Sequence, residues 1–387
     1  MNRYRSMIIF LFASAAALSA CGREPTPPSH PNNLELRGVW LTPKWETIDW
    51  DATMSYLADY GINTVFPYMH SAGGSFYPSS VIPWATNADQ SRDHLEACVE
   101  AAAEHGIEVH VWRINWAMYG GDRNLRDKYA TAGRVQRTDL ISRRGKRVFE
   151  LDGESDYGGF GTDFLCPDIS ANRALELDSM VEAARNYPVA GVHFDYMRYP
   201  DMPWCYCDST RARYQRETGE QISDADWPTI VQEGGADRVD FRDWRNNNMT
   251  ELAGEIAEAV RAASPGVKVS LAARGGISWA IRSDAQNWPR WCRDGVLDFV
   301  SPMDYTPDRE QLQSDLSAQM TAVGGSVPIH VGLGVYQMET ADELVGHVRL
   351  INAMGANGFV LFDYDACLGK LKRLYDDVLS REEIREP

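Results

Sequence analysis

Residues 191–200 read GVHFDYMRYP, a short apolar run that ends in an acid and is followed by a polar loop. A run of this length without polar alternation is typical of a strand that is buried on both faces, as in parallel sheets. Asp195 stands where the apolar run stops. The segment therefore predicts a buried strand with a carboxylate at its carboxyl end.

Seven further runs of the same kind lie on either side of this one. Together the eight span residues 36–41, 64–69, 107–114, 189–194, 267–272, 297–303, 329–335 and 359–362. The segments between them place apolar residues at helical spacing, as Leu344, Val348 and Ile351 do. Strands that alternate with helices indicate a parallel sheet built from one repeated strand–helix unit.

Eight such units in a row favour a closed barrel over an open sheet. Glycines precede five of the strands, where a left-handed helix C-cap is expected; they are Gly61, Gly106, Gly266, Gly295 and Gly358. We predict a single (β/α)₈ TIM barrel of α/β class over residues 35–387. Its longest connections, residues 116–168 after strand three and 199–236 after strand four, are predicted to roof a cleft at the carboxyl face.

The first 34 residues have the pattern of an export and anchoring segment. Arg3 and Arg5 precede an apolar run over residues 7–18, and small residues then lead to Cys21. This arrangement predicts a signal peptide over residues 1–20, cleaved at a bacterial lipobox, with Cys21 acylated. Residues 21–34 are predicted to form a Pro-rich linker, and Gly22 after the cysteine favours the outer membrane.

Composition limits the partners of the chain. The formal net charge is −17, and loss of Arg3 and Arg5 with the signal peptide would bring it to −19. A protein so acidic is a poor ligand for nucleic acid or for an anionic membrane surface, so a neutral or cationic partner is expected. No cofactor is expected either.

Six cysteines follow Cys21, and two of them, Cys205 and Cys207, form a clustered pair. An even number permits disulfides in an exported protein, but the sequence does not assign pairs. A metal site at the pair would require further ligands at suitable spacing. We therefore predict no metal and interpret these residues as buried thiols or disulfide partners.

Carboxylates follow three of the predicted strands, and barrel enzymes take their catalytic side chains from such strand ends. Asp195 ends strand four, Asp304 ends strand six and Asp363 follows strand eight. Hydrolysis of a glycosidic bond needs two carboxyl groups, one ionised and one protonated. Asp195 and Asp304 are the favoured catalytic pair; Asp363 and Asp365 could serve instead or could bind sugar hydroxyls.

Rings and polar groups at the other strand ends are candidates for sugar binding, because flat aromatic faces stack on the apolar faces of sugars. The candidate substrate-binding residues are Trp45, Tyr68, His70, Trp112, Arg113, Asn115, Trp116, His193, Arg198, Arg274, Tyr305, Tyr336 and Asp365. For His193 a place in the barrel core, satisfied by a neighbour, is the favoured alternative.

These segments together resemble the bacterial glycosyl-hydrolase-like family ten. The resemblance rests on residues 36–41 (LRGVWL), 61–65 (GINTV), 106–112 (GIEVHVW), 298–302 (DFVSP) and the strand that ends at Asp195. It implies a barrel fold and a glycosidase that acts on envelope polysaccharide, including peptidoglycan glycan strands. Many relatives carry a second acid where this chain has Tyr196, and a Gln-aliphatic pair where it has Met303 and Asp304.

Asp195 and Asp304 also resemble the nucleophile and the acid/base of α-galactosidase-type barrels. Two other functions remain open. A carbohydrate-binding barrel without catalysis would have the same fold and the same aromatic lining. A metal-dependent polysaccharide deacetylase would need His and Asp clustered at the strand ends, whereas the eight His residues are scattered.

The lipobox generates a direct prediction about the mature amino terminus. Mass spectrometry of the protein from a membrane fraction should find an acylated Cys21 as the first residue. A mature chain that begins elsewhere, or an unmodified Cys21, would show that the segment is an ordinary leader.

Overall fold

Eight parallel strands form one closed barrel, and β8 pairs with β1 to close it. The computed structural model describes residues 34–119, 121, 123–136, 164–199, 205–232 and 234–380. The strands are β1 (Leu36–Leu41), β2 (Thr64–Ser71), β3 (Glu108–Ile114), β4 (Gly191–Asp195), β5 (Lys268–Arg274), β6 (Phe299–Asp304), β7 (His330–Gly334) and β8 (Gly358–Phe362). The predicted (β/α)₈ TIM barrel is confirmed, and the bounds of each predicted strand are correct to within two residues.

Helices follow the strands. They are α1 (Trp50–Asp59), α2 (His94–Glu104), α3 (Arg123–Thr131), α4 (Ser170–Asn186), α5 (Asp208–Thr218), α6 (Arg238–Ala263), α7 (Ile277–Arg282), α8 (Trp288–Arg293), α9 (Arg309–Val323), α10 (Ala341–Met354), α11 (Tyr364–Cys367) and α12 (Leu371–Leu374). Helix α10 begins at a capping box of Thr340 and Glu343 and buries Leu344, Val348 and Ile351. Amphipathic spacing thus identified its inner face correctly.

The five glycines predicted as helix C-caps show how the sequence pattern and the backbone correspond. Gly61, Gly106, Gly266 and Gly295 have positive φ, as their predicted C-cap role requires. Gly358 does not, and the prediction was wrong there, because Gly355 (φ 88°) ends α10 instead. Gly358 is needed for another reason: a Cβ at this position would collide with the Leu36 carbonyl oxygen and approach His330 Nδ1.

The apolar residues form two main layers. One lies between the strands and the helices, and the other fills the barrel interior with Trp40, Phe66, Trp112 and Phe299 among its members. The interior layer ends below the carboxyl face, where its uppermost rings become the floor of a cavity.

The connection from β4 to α6 has a small core of its own. Tyr206, Tyr214, Ile222, Val231 and Phe241 are buried on one another. We call this group the satellite core.

The predicted signal peptide, Cys21 and most of the linker lie outside the described residues, as do large parts of the two long connections. Of the helices that the structure describes, none combines the length and the hydropathy needed to cross a membrane.

The β1–β8 seam should be sensitive to a single methyl group. Gly358→Ala places a Cβ against backbone, and such overpacking should lower the free energy of unfolding by about 3 kcal/mol. Gly106→Ala is the matched control, because its φ is positive but the space around it is open, so strain alone should cost about 1 kcal/mol. Urea unfolding of both variants would measure the difference, and equal losses would refute this account of Gly358.

Candidate active site

A cavity of about 730 Å³ opens at the carboxyl face of the barrel. Aromatic residues make up most of its wall: Trp40, Trp45, Tyr68, Phe76, Trp112, Tyr119, Tyr196, Tyr305, Tyr336 and Phe362. Trp45 stacks on Phe76 with ring centroids 3.6 Å apart, and Tyr305 stacks on Phe362. Rings held rigid in this way present flat apolar surfaces with little rotational freedom left to lose on binding.

Asp195 contributes its carboxylate to this cavity from the end of β4. Its Oδ2 accepts a hydrogen bond from Trp112 Nε1 (3.2 Å), and its Oδ1 accepts one from the Tyr196 backbone N–H (2.7 Å). The side chain is therefore oriented through both oxygens. Within the described part of the chain, Asp195 is the only acidic residue of the cavity wall.

Opposing effects act on the charge of Asp195. Burial raises the pKa of this carboxyl above its ordinary value, because desolvation penalises the ionised form. The charge of Arg198 lowers the pKa, and so do the hydrogen bonds from Tyr196 and Trp112 and the charge of Arg274. Burial is the larger effect, so the proton affinity of Asp195 exceeds that of an exposed aspartate.

Arg198 lies on the cavity wall and is positioned by its neighbours. Its guanidinium lies 4.2 Å from the centroid of the Tyr196 ring, and its Nε is 3.8 Å from Asp284 Oδ2. Arg274, predicted to bind substrate, pairs with the same buried Asp284 and is not part of the wall. Asp284 thus fixes two cations close to the strand that carries Asp195.

His193 lies deeper in the barrel, in agreement with the alternative prediction that it belongs to the core. Its Nε2 accepts from Trp40 Nε1 (3.1 Å), so its Nδ1 carries the proton and donates to Ser270 Oγ (2.8 Å). Burial lowers the pKa of the imidazole well below its usual range. His193 is neutral and supports Trp40 from below, without reaching the cavity wall.

Four other predicted binding residues serve the packing of the barrel instead. Arg113 forms a bidentate ion pair with Glu176 of α4 (2.6 and 2.8 Å), where both side chains are fully buried. Asn115 Nδ2 and the Trp116 backbone N–H donate to the same Glu176. His70 is buried against the Tyr77 hydroxyl (2.9 Å). The three groups bound to Glu176 hold α4 against the end of β3, and none of the four predicted residues lines the cavity.

Asp304 is not part of the cavity wall, in contrast to its predicted role as the second catalytic acid. Its neighbours Met303 and Tyr305 line the cavity, and alternation along a strand turns Asp304 to the opposite side. There Asp304 Oδ1 accepts from Gln319 Nε2 of α9 (2.8 Å). Burial raises the pKa of this carboxyl to about 8, so it carries a proton at neutral pH.

Asp363 lies at the rim, next to the cavity. Its Oδ2 accepts from Thr42 Oγ1 (3.0 Å), and Thr42 belongs to the wall. Asp363 Oδ1 accepts from the Ala366 N–H at the start of α11. Asp365, predicted to bind substrate, instead forms an exposed ion pair with Lys44 (2.9 Å).

The partly buried ring of Tyr305 lies on the cavity wall. Burial raises the pKa of Tyr305 well above its ordinary value, and the charges of Asp195 and Asp363 act in the same direction. The predicted residues that the structure brings together at the wall are Asp195, Trp45, Tyr68, Trp112, Arg198, Tyr305 and Tyr336.

Comparison with known proteins identifies the family. The profile of the family described as glycosyl hydrolase-like 10 matches residues 35–344. The chain belongs to this family. The glycosyl hydrolase DigH of Escherichia coli strain K12 is 24% identical over 356 residues, which cover 78% of this chain and 72% of DigH.

Solved structures agree in fold. The glycoside hydrolase domain of PgaB from Bordetella bronchiseptica superposes with a TM-score of 0.67 at 14% identity, covering 89% of this chain and 98% of that domain. Alpha-L-fucosidase isoenzyme 2 from Paenibacillus thiaminolyticus gives 0.64 at 16% identity, covering 90% and 50%. The family and its fold support a carbohydrate-active enzyme.

Several wall residues of this glycosyl hydrolase-like 10 protein were not singled out from the sequence. Thr86 and Asn87 come from the connection before α2, and Tyr119 and Gly121 come from the start of the long connection after β3. Residues in irregular connections follow no periodic pattern. The only signal available was the length of the connection after β3, which was predicted to lie above the barrel.

A second group of chemistry-bearing side chains lies away from the cavity wall. Cys166 joins Cys205 and Cys207, and the three sulfur atoms all lie within 4.8 Å of one another. The clustered pair seen in the sequence therefore has a third member from a distant segment.

The position of Asp304 predicts a pH effect on stability. Its pKa is about 8 in the folded protein and about 3.9 when unfolded, so the folded state binds more protons in between. The contribution of Asp304 to the free energy of unfolding should therefore fall by up to about 1.4 kcal/mol per pH unit as pH rises from 4 towards 8. Asp304→Asn removes this contribution.

Urea unfolding of both proteins between pH 5 and pH 8 would measure it. The variant should gain stability relative to the parent as pH rises. A constant difference across the range would mean that Asp304 is ionised in the folded protein.

Proposed function

We propose that this glycosyl hydrolase-like 10 protein is a lipid-anchored glycoside hydrolase that cleaves a polysaccharide outside the cytoplasm. The observation that carries the proposal is the oriented carboxylate of Asp195 in a cavity walled by aromatic rings. Aromatic walls suit the apolar faces of sugars, and the carboxylate lies where it can contact a bound sugar. The lipobox at Cys21 supports attachment to the cell envelope.

Asp195 would act in its ionised form. Both of its oxygens accept N–H hydrogen bonds, which favours the ionised form. In a bound sugar the anomeric carbon would face this carboxylate. A negative charge there stabilises the oxocarbenium-like transition state, either as a nucleophile or as the base that activates water. Arg198 opposes the effect of burial on the pKa of Asp195 and would contact substrate hydroxyls.

Asp363 is our choice for the second carboxyl group, in place of Asp304. It lies across the barrel from Asp195 and contacts the wall through Thr42, whereas Asp304 faces α9. As the general acid, Asp363 would protonate the leaving-group oxygen while Asp195 stabilises the positive charge on the sugar ring.

The substrate class follows from charge and compartment. A chain of net charge −17 favours neutral or cationic glycans, and an envelope anchor brings it close to cell-wall polymers. Peptidoglycan glycan strands without peptide are the first substrate to test because the family resemblance implies them. They retain a lactyl carboxylate on each muramic acid, so neutral polysaccharides are tested beside them.

The test is product analysis with the mature full-length protein. The protein is incubated with purified glycan strands and a panel of neutral polysaccharides, and released sugars are identified by mass spectrometry. Asp195→Asn should lower the rate at least about a hundredfold, with a melting temperature close to that of the parent. Asp304→Asn is the matched control for removal of a buried carboxylate and should retain activity.

Asp363→Asn should reduce cleavage of natural glycans more than cleavage of aryl glycosides, whose good leaving groups need little protonation. Full activity of Asp195→Asn on a verified substrate would refute the proposed mechanism. If the parent releases no product but binds glycan, the chain is a binding barrel, a function that the single carboxylate of the described wall also fits.

A further inference from the structure

Three buried cysteines meet where the two long connections pass each other. Cys166 precedes α4 in the connection after β3, and Cys205 and Cys207 precede α5 in the connection after β4. Cys166 and Cys205 are fully buried and Cys207 is 3% exposed. The Sγ atoms of Cys166 and Cys207 are 3.6 Å apart, although 41 residues separate them in the chain.

We propose that Cys166, Cys205 and Cys207 bind one zinc ion. A tetrahedral zinc site has Zn–S distances of about 2.3 Å, which places its sulfur ligands about 3.8 Å from one another. The observed 3.6 Å matches this edge, whereas a disulfide would need about 2.05 Å. All three sulfur atoms lie within 4.8 Å of one another, which is close enough for one ion to contact them together.

The surroundings of the cluster suit a cation held by thiolates. Cys207 is the N-cap of the eleven-residue helix α5, where exposed N–H groups favour negative charge on sulfur. Thr210 Oγ1 lies 3.4 Å from the sulfurs of both Cys166 and Cys207. Three sulfurs supply three corners of a tetrahedron, and the fourth is left to an oxygen from Thr210 or water.

Asp168 orients the Thr210 hydroxyl beside the three cysteines. Its Oδ2 accepts from Thr210 Oγ1 (2.7 Å), and its Oδ1 accepts from the Tyr199 hydroxyl (3.0 Å) and from Asn248. Both oxygens are engaged, and Asp168 Oδ2, which is 3.9 Å from Cys166 Sγ, positions the Thr210 hydroxyl beside the cluster. Carboxylates that hold neighbouring groups in this way are common around protein metal sites.

The ion would join the two connections that flank the cavity. Tyr199, which contacts Asp168, follows Tyr196 and Arg198 of the cavity wall within the same segment. The cysteines themselves are absent from the wall, so the ion would be structural and would take no part in chemistry at Asp195. The proposal does not depend on the proposed glycosidase activity.

The test loads the full-length reduced protein with zinc sulfate, removes free metal by gel filtration and measures zinc by mass spectrometry. We expect about one zinc ion per chain. Cys166→Ser should lose it, whereas Cys98→Ser and Cys292→Ser, which remove buried cysteines outside the cluster, should retain it. Zinc should also raise the melting temperature of the parent and of both controls.

A second measurement needs no variant. Cobalt(II) added to the parent should give the intense near-ultraviolet charge-transfer bands of thiolate ligation, and zinc should abolish them. The proposal would be overturned if the parent held no more zinc than Cys166→Ser, or if cobalt(II) gave no such bands with the parent. Peptide mapping that finds a disulfide between any two of the three cysteines in protein taken from the envelope would also overturn it.

Discussion

Closure of the barrel through the pairing of β8 with β1 is the constraint on which the rest of the structure depends. Gly358 lies opposite Leu36 there, and the Asn357 carbonyl accepts from the N–H groups of Glu35 and Leu36. Once the ring is closed, the carboxyl ends of all eight strands meet at one face. Each strand except β7 contributes a side chain to the cavity wall, so no pair of neighbouring strands could build it alone.

The fold was predictable from the sequence because a buried strand and an amphipathic helix have different periods, and eight such pairs leave few alternatives. The side of the strand on which a residue lies was predicted wrongly for two candidates, Asp304 and Arg113. Met303 and Tyr305 lie on either side of Asp304 in the chain and both line the cavity, and the Asp304 side chain points away from it. The same alternation puts Arg113 behind the wall, between Trp112 and Ile114, which belong to it.

Other parts of the site depend on tertiary contacts that no local pattern carries. Asn87 and Tyr119 reach the wall from irregular connections. Cys166 meets Cys205 and Cys207 only because two long connections cross at the same end of the barrel. His70 illustrates a further difficulty, because the register of β2 against β3 shifts between Tyr68 and His70 and so changes which side the histidine faces.

The satellite core has a consequence for how this protein can change over evolutionary time. Its rings pack on one another, as Tyr214 does on Phe241, and the group forms a cluster separate from the two layers of the barrel. Substitutions within this cluster should therefore disturb the packing of the barrel strands little. Such a segment is a module that can diversify beside a constant scaffold while the barrel keeps its stability.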